Sequence, residues 1–451
     1  MFAFALAAAA AALVAAGSGL VFFFDEWQLV LERPGLGPGA FLEPHNGQVF
    51  AVPVFVYKLL LSIFGMGSQL PFRLVAVLFV SLCSLLAFVY VKRRVGGWMA
   101  LMLILPVMFL GAGWEALLLP LSINFLISLA AGLAMLLLLE RGDRRSDVGA
   151  SLALAASIAS GGLGMAFAAG ALADTALRRE ARRLWIVAVP MLAYALWLII
   201  YGNEAGGSVT ETDPLTLLDN TYRSIGSVAV AVSGFAIERR PGYWIYSILT
   251  PGQDVDLSRV LAAVVLVLVA IRLLAASRLP VSRNALISGA VLLAFWVMIS
   301  LVTGGGRQPE ASRYLYPGAV LLILVVAALL EGVELPRWAP AMLLPLVAVS
   351  VSSSVIEMKD GREFLVEQTN ITRAAIGTVE RTPGSSFPGP DDVGPSSKFR
   401  FLTFLERDSY LEAVERYGGS PGYTQAEIAA SPPVAREIAR RVVATTSNDP
   451  D

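Results

Sequence analysis

Long apolar runs, broken by short charged or Gly/Pro-rich segments, set the pattern of this chain. The first run covers residues 1–24 and ends abruptly at Asp25-Glu26-Trp27. Later runs fall at 70–91, 96–112, 119–139, 184–201, 258–276, 284–303, 313–331 and 338–354. A membrane helix needs about 20 apolar residues, so most of these runs are predicted spans. Residues 50–64 are apolar but short and carry Lys58, which predicts a helix lying on the membrane interface. Residues 147–178 have basic flanks at both ends and are too long for one span. Their centre, Ser160-Gly161-Gly162-Leu163-Gly164, is a helix breaker, which predicts two short helices meeting at a glycine turn.

The basic clusters orient this pattern. Lys92-Arg93-Arg94, Arg141 with Arg144-Arg145, the arginines at 178–183 and those at 272–283 lie between apolar runs. The positive-inside rule puts all of them in the cytoplasm. The prediction is an all-α polytopic membrane protein with about eleven crossings, its N-terminus inside and its C-terminus outside. Residues 25–69 and 202–257 form outer loops, the second holding an interfacial or re-entrant apolar stretch at 223–237. From 355 to 451 the chain turns charged and Pro/Gly-punctuated, with helical patterning at 404–417 and 434–444. This predicts a small extracytoplasmic helical domain or tail after a transmembrane domain at 1–354.

Composition excludes several function classes. Of 451 residues, 56% are hydrophobic and 15% charged, against about a quarter charged in soluble domains. A net charge of −1 leaves no footprint for nucleic acid. The single cysteine, Cys83, rules out an internal disulfide, a CxxC redox pair or a thiolate metal cluster. No Walker A, GxGxxG or HExxH motif is present.

The unusual polar residues converge on the predicted outer face. They are Asp25, Glu26 and Trp27; the Pro44-His45-Asn46-Gly47-Gln48 turn, with the protein's only histidine; Trp114-Glu115; the glycine turn; and the loop from Gly304 through Arg307 to Arg313-Tyr314. Each has an ordinary explanation: a span's polar end, turn chemistry, a snorkelling arginine, an aromatic-belt tyrosine. Five segments delivering acids, arginines and aromatics to one face are harder to explain that way, because ionisable groups near membrane depth are costly. Arg307 and Arg313 suit a phosphate through guanidinium geometry. A carboxylate such as Asp25 suits proton abstraction from a hydroxyl nucleophile. Trp27 and Trp114 offer faces for sugar C–H surfaces. A divalent cation, Mg²⁺ or Mn²⁺, has possible ligands in Asp25, Glu26 and Glu115.

These residues resemble those of a known family. A first span ending in Asp25-Glu26-Trp27 is followed by Pro44-His45-Asn46-Gly47-Gln48 and an amphipathic segment. Further on come Trp114-Glu115-Ala116-Leu117-Leu118, the glycine turn and Ser312-Arg313-Tyr314-Leu315-Tyr316. Together they are similar to the polyprenyl-phosphate-dependent GT-C glycosyltransferases, in the branch of the protein O-mannosyltransferases and their bacterial relatives. Residues Tyr410 to Gly418 extend the similarity into the tail. The resemblance implies a GT-C bundle in the plasma membrane and a polyprenyl-phosphate sugar as donor. It implies a glycan, lipid or protein acceptor on the outer face. It makes Asp25 the base, with Glu26 able to share the role, and puts Arg313, or Arg307, on the lipid phosphate. His45, Asn46, Gln48, Trp114, Glu115 and Tyr314 are the accompanying substrate-binding candidates. Two other readings stand beside it: a transporter or flippase of a lipid-linked or anionic substrate, for which broken helices are equally apt, and an inactive assembly subunit.

Overall fold

The computed structural model describes residues 1–33, 35–202, 213–234, 257–275, 280–301, 308, 310–334, 336–389, 393 and 397–446. Among them there are helices and no strand; the only β-type pairing is an isolated bridge between His45 and Gln48. In chain order the helices are α1 (Phe2–Ala16), α2 (Glu26–Leu31), α3 (Pro38–Leu42), α4 (Ala51–Phe64), α5 (Leu70–Val95), α6 (Gly97–Met108), α7 (Trp114–Leu118), α8 (Ile123–Leu139), α9 (Arg144–Ile158) and α10 (Leu163–Arg178). There follow α11 (Trp185–Tyr201), α12 (Pro214–Ser233), α13 (Leu257–Leu274), α14 (Arg283–Leu301), α15 (Ser312–Leu329), α16 (Ala339–Arg381), α17 (Arg407–Tyr417), α18 (Gln425–Ala430) and α19 (Pro433–Thr446).

Five helices among the described residues are long and apolar enough to cross a bilayer. The count becomes six if α6 and the segment Gly111–Leu118, bent by 48° where they meet, act as one broken span. The other crossings needed to reach eleven would have to come from shorter or more polar helices such as α1 and α11. The apolar surface that these helices leave exposed runs in stripes, as lipid-facing helices require. On α5 the stripe is Leu70, Leu74, Leu78, Leu82 and Leu85. On α4 it is Phe55, Leu59 and Ile63, the i, i+4 face expected of an interfacial helix.

The 147–178 segment forms two helices, α9 and α10, joined at Ala159–Gly162. Asp143 caps α9 by accepting the Arg145 and Ser146 N–H groups, each at 3.0 Å. Ser157 and Ser128 bond each other across α9 and α8 at 2.9 Å, pinning the hairpin to the bundle. Two further segments are longer helices than the pattern suggests. Residues 214–233, which include most of the stretch expected to be interfacial or re-entrant, form one helix packed along α13 and against α14 and α15; residues 235–237 of that stretch lie outside the described residues. The span expected to end near 354 runs unbroken to Arg381, 43 residues or roughly 65 Å.

The two ends of the bundle differ in chemistry. At one end the basic clusters find acids. Arg93 and Arg94 pair with Glu140, and Arg94 approaches Glu331 at 3.8 Å. Asp174 receives Arg178 at 3.0 Å, Arg283 at 3.3 Å and Arg183 at 3.5 Å, while Arg183 also pairs with Asp147. These contacts tie together the turns after α5, α8, α10 and α15. At the other end a second hydrophobic core is built jointly by the first loop and the tail. Phe22, Trp27, Tyr57 and Phe72 pack with Ile371, Ala375, Phe387, Leu402, Tyr410 and Ile438. The tail therefore does not stand apart; it shares its interior with the loop that follows α1.

The long helix α16 is docked at Gly111, where a Cβ would come within 1.8 Å of the Ser354 carbonyl oxygen. Gly111→Val is expected to lower the melting temperature of the purified protein by several degrees, since overpacking of this kind costs roughly 1–3 kcal/mol. Gly289→Ala, where a Cβ meets nothing within 4 Å, is the control and should not lower it. Equal melting temperatures for wild type and Gly111→Val would disprove the tight docking.

Candidate active site

A cavity of about 470 Å³ opens at the end of the bundle away from the basic clusters. Seven of the residues singled out in the sequence line it: Asp25, His45, Asn46, Gln48, Glu115, Arg313 and Tyr314. They come from the segment after α1, the loop before α4, and the starts of α7 and α15.

Asp25 reaches the cavity because α1 stops at Ala16, well before the apolar run ends. The chain then leaves the helix with Phe22 and Phe23 buried, and turns at Phe24, whose φ is +55°. A bulky side chain in that region is strained by roughly 1–2 kcal/mol. The turn ends at Asp25, which precedes α2 and remains half-exposed to the cavity. Asn46 Nδ2 donates to Asp25 Oδ2 at 3.0 Å, and Asn46 itself has a φ of +50°. Asn tolerates this conformation better than most residues. The loop carrying it is braced from below. Arg33 donates to the carbonyls of Glu43 at 3.0 Å and Pro44 at 2.8 Å, and Lys58 bonds the carbonyls of Arg33 and Gly35. Lys58, the charge that interrupts the α4 run, is thus a loop anchor. His45 is buried against Phe50, with ring centroids 4.6 Å apart, and burial followed by the nearby Arg33 guanidinium pulls its pKa down to about 4. It is neutral at physiological pH.

Glu26 does not share the site with Asp25. Successive helical residues point about 100° apart, and Glu26 faces inward with no exposed surface. Its Oε2 accepts the Phe23 N–H at 2.9 Å and Gln69 Nε2 at 2.8 Å; its Oε1 pairs with the Tyr57 hydroxyl at 2.7 Å. Arg73 donates to Gln69 Oε1, so the amide passes the guanidinium's influence to the carboxyl. Burial nevertheless raises the Glu26 pKa to about 7, against the pull of Tyr57, the Phe23 amide, Arg73 and Gln69. Trp27 also turns away, wedged between Phe22 and Tyr410 at 5.5 Å and 6.0 Å. Both residues belong beneath the cavity, not in it. With Glu26 engaged this way, the expected carboxylate trio for a metal is not assembled, and no group of three His, Cys, Asp or Glu among the described residues is arranged to hold one.

Glu115 and Arg313 form the opposite wall. Glu115 Oε2 accepts the Arg313 backbone N–H at 3.1 Å, and the Glu115 N–H donates to Ser312 Oγ at 3.2 Å. Ser312 in turn donates to the Ala112 carbonyl at 2.6 Å, stitching α7 to α15. Asp25, Glu115 and Arg313 are close enough to interact electrostatically. The Arg313 guanidinium lies 5.1 Å from the Tyr314 ring centre, and Tyr314 meets Phe125 edge to face at 5.8 Å. Trp114 is absent from this wall. It packs against Phe364 and on Gly361 of α16, where a Cβ would fall 2.3 Å from the indole. Arg307 lies outside the described residues.

The structure adds lining residues that the sequence reading passed over. Gln28, Ser122, Asn124 and Phe125 come from α2 and the start of α8. Arg400, Phe401 and Phe404 come from the tail, where Phe24 packs on Phe401 at 5.3 Å and on Phe404 at 4.6 Å. A signal for the latter exists: Lys398-Phe399-Arg400-Phe401-Leu402-Thr403-Phe404 alternates basic and aromatic residues inside an otherwise polar tail.

The fold is like that of a solved membrane protein, ArnT. ArnT from Cupriavidus metallidurans bound to undecaprenyl phosphate superposes with a TM-score of 0.52 over 90% of this chain and 88% of that one, at 14% identity. The same protein in the apo state gives 0.51 over 93% and 89%, at 13% identity. No protein-family model and no curated protein sequence matches the chain.

Glu26 should reveal itself in the pH dependence of stability. Its folded pKa of about 7 exceeds the unfolded value of 4.5, so the folded protein keeps a proton that the unfolded chain releases. The resulting stability is complete below pH 4.5 and is lost as the pH rises through 7. Melting temperatures of wild type should therefore fall by a few degrees between pH 5 and pH 8. Glu26→Gln keeps the shape, with its amide oxygen able to accept from Phe23 and Gln69 and its NH2 donating to the Tyr57 hydroxyl in reverse, and should flatten that dependence; an unchanged slope in this variant would sink the assignment. Glu26→Leu should destabilise at every pH, because each buried donor left without an acceptor costs about 1–3 kcal/mol.

Proposed function

We propose that this protein is a membrane glycosyltransferase that moves a sugar from a polyprenyl-phosphate donor to a hydroxyl acceptor on the extracytoplasmic face. The observation that carries this reading is the meeting of Asp25, Glu115 and Arg313 around one cavity of an ArnT-like fold. ArnT, which shares that fold, is bound to undecaprenyl phosphate in its solved structure.

In this reading the donor phosphate sits against Arg313, whose guanidinium offers paired N–H groups to phosphate oxygens. Asp25 accepts the proton of the acceptor hydroxyl while that oxygen attacks the anomeric carbon. The bond from the anomeric carbon to the phosphate oxygen breaks, its electrons leave with the phosphate, and the anomeric configuration inverts. Asn46 holds the Asp25 carboxylate in place by donating to its Oδ2. Glu115 fixes the start of α15 and balances the charge of Arg313. A Mg²⁺ or Mn²⁺ ion would find only two carboxylates on this wall, Asp25 and Glu115, both already facing Arg313, so no step is assigned to a metal. The acceptor class, whether glycan, lipid or protein, belongs to the same proposal.

The position of the cavity favours an enzyme over a transporter. Its polar residues cluster at helix starts and loops at one end of the bundle, whereas a carrier's site is expected near mid-membrane. Residues 70–91 and 319–330 are correspondingly poor in polar side chains.

The test is transfer of labelled sugar from undecaprenyl-phosphate sugars into membrane acceptors. Asp25→Asn should lower the rate by about 10²–10⁴-fold at normal expression, the range typical of a lost general base. Unchanged transfer would remove Asp25 from the reaction. Arg313→Ala should weaken binding of undecaprenyl phosphate itself, and Arg313→Lys should restore part of it, since charge without the planar fork is a poorer match.

A further inference from the structure

We propose that Asn124 and Gln48 form the sugar-recognition subsite of this cavity, reading hydroxyls of an uncharged sugar ring beside the glycine turn. The proposal rests on the transferase reading above and deepens it. Asn124 is the second residue of α8, set between Ile123 and Phe125 at the start of a strongly apolar helix. It is 8% exposed, and that remaining surface lies on the cavity wall. Among the described residues nothing hydrogen-bonds its amide, which is left open to the cavity, whereas an amide in so enclosed a place is normally paired within the protein. A polar group kept in this condition on a cavity wall is a ligand contact in waiting.

Gln48 stands on the same spot. Its Oε1 accepts the Gly162 N–H at 2.9 Å, which fixes the amide so that Nε2, with two N–H donors, is the end left for a ligand. A Cβ at Gly161 would lie 3.5 Å from both Asn124 Nδ2 and Gln48 Oε1, so the two amides flank one turn. Between them they offer donors and an acceptor with no charge. That set matches neighbouring hydroxyls, which both give and accept hydrogen bonds. A phosphate is better served by Arg313 and an ammonium by Asp25 or Glu115, all elsewhere on the wall. Phe125 and Tyr314, edge to face at 5.8 Å, add an apolar surface next to the subsite for the ring's C–H groups.

The decisive experiment compares three lipids on the full-length protein in nanodiscs: undecaprenyl phosphate, undecaprenyl-phosphate mannose and undecaprenyl-phosphate glucose. Wild type should bind at least one sugar-bearing lipid more tightly than the bare phosphate. Asn124→Leu, nearly equal in volume, should cancel that advantage, a loss of about tenfold or more, and leave affinity for undecaprenyl phosphate unchanged. Gln48→Met should act the same way and carries the test should the Asn124 variant fail to fold. In transfer assays both should raise KM for the donor more than they lower kcat. Equal weakening for bare and sugar-bearing lipids would mean a structural role and overturn the proposal, as would no change at all. A wild type that binds bare and sugar-bearing lipids alike overturns it too, but leaves the lipid-phosphate reading standing. A wild type that binds none of the three overturns both.

Discussion

Everything at the functional end depends on one buried carboxyl. Glu26 gathers a backbone N–H from the segment after α1, a hydroxyl from α4 and an amide from the start of α5. The Phe23 N–H bond matters most, because it closes the tight turn over Phe23 to Glu26 and so holds Phe24 at its positive φ. Strain of that kind persists only where the surroundings over-determine it. Here the surroundings are Glu26 below and the rings of Phe401 and Phe404 above. Asp25 sits between the strained residue and the buried one, so its position follows from both.

This arrangement makes the tail part of the site's architecture. A tail of its size is near the lower limit for an independent core. Sharing Trp27, Tyr57 and Phe72 with the first loop solves that problem, and α16 carries the chain from the bundle into the shared core without a hinge. The same sharing has a mechanical consequence. The segment at 400–404 reaches the cavity only through a core that also positions Asp25, so the wall contributed by the tail and the acid opposite it are fixed to one body.

Much of this was legible in the sequence wherever one signal acted alone. The glycine turn followed from length and charge: two basic flanks and 32 residues permit little besides a hairpin. The short helix α4 followed from an apolar run too brief for a full span. Adjacent signals were harder to separate. Asp25 and Glu26 look alike on paper, and only the helical phase, set by where α2 begins, sends one to the cavity and the other into the core. Trp27 and Trp114 have the composition of sugar platforms, yet each fills a hole made by a residue hundreds of positions away, Tyr410 and Gly361. Such pairings leave no local trace. Asn124 was hidden for the opposite reason. A single amide in a long apolar run reads as a tolerated exception until the cavity beside it is known.

The cavity's chemistry is divided, and the division explains why so few charges serve it. Arg313 faces both Glu115 and Asp25, so its charge is already offset by two carboxylates before any ligand arrives. A lipid phosphate entering there brings negative charge to a site with two carboxylates, which keeps its binding from being a simple salt bridge. In the proposed reaction the repulsion is greatest before Asp25 takes the acceptor's proton. Once Asp25 has accepted a proton, one of the two opposing charges is gone just as the departing phosphate gains its own. Arg313 is then opposed by Glu115 alone and is freer to hold the leaving group. A carboxylate that is unfavourable to the bound donor and neutral to the products lowers the barrier in the direction of transfer, which is differential stabilisation of the reacting state over the bound one. The neutral amide wall can supply the opposing attraction without interfering, because hydroxyl recognition adds no charge to the balance.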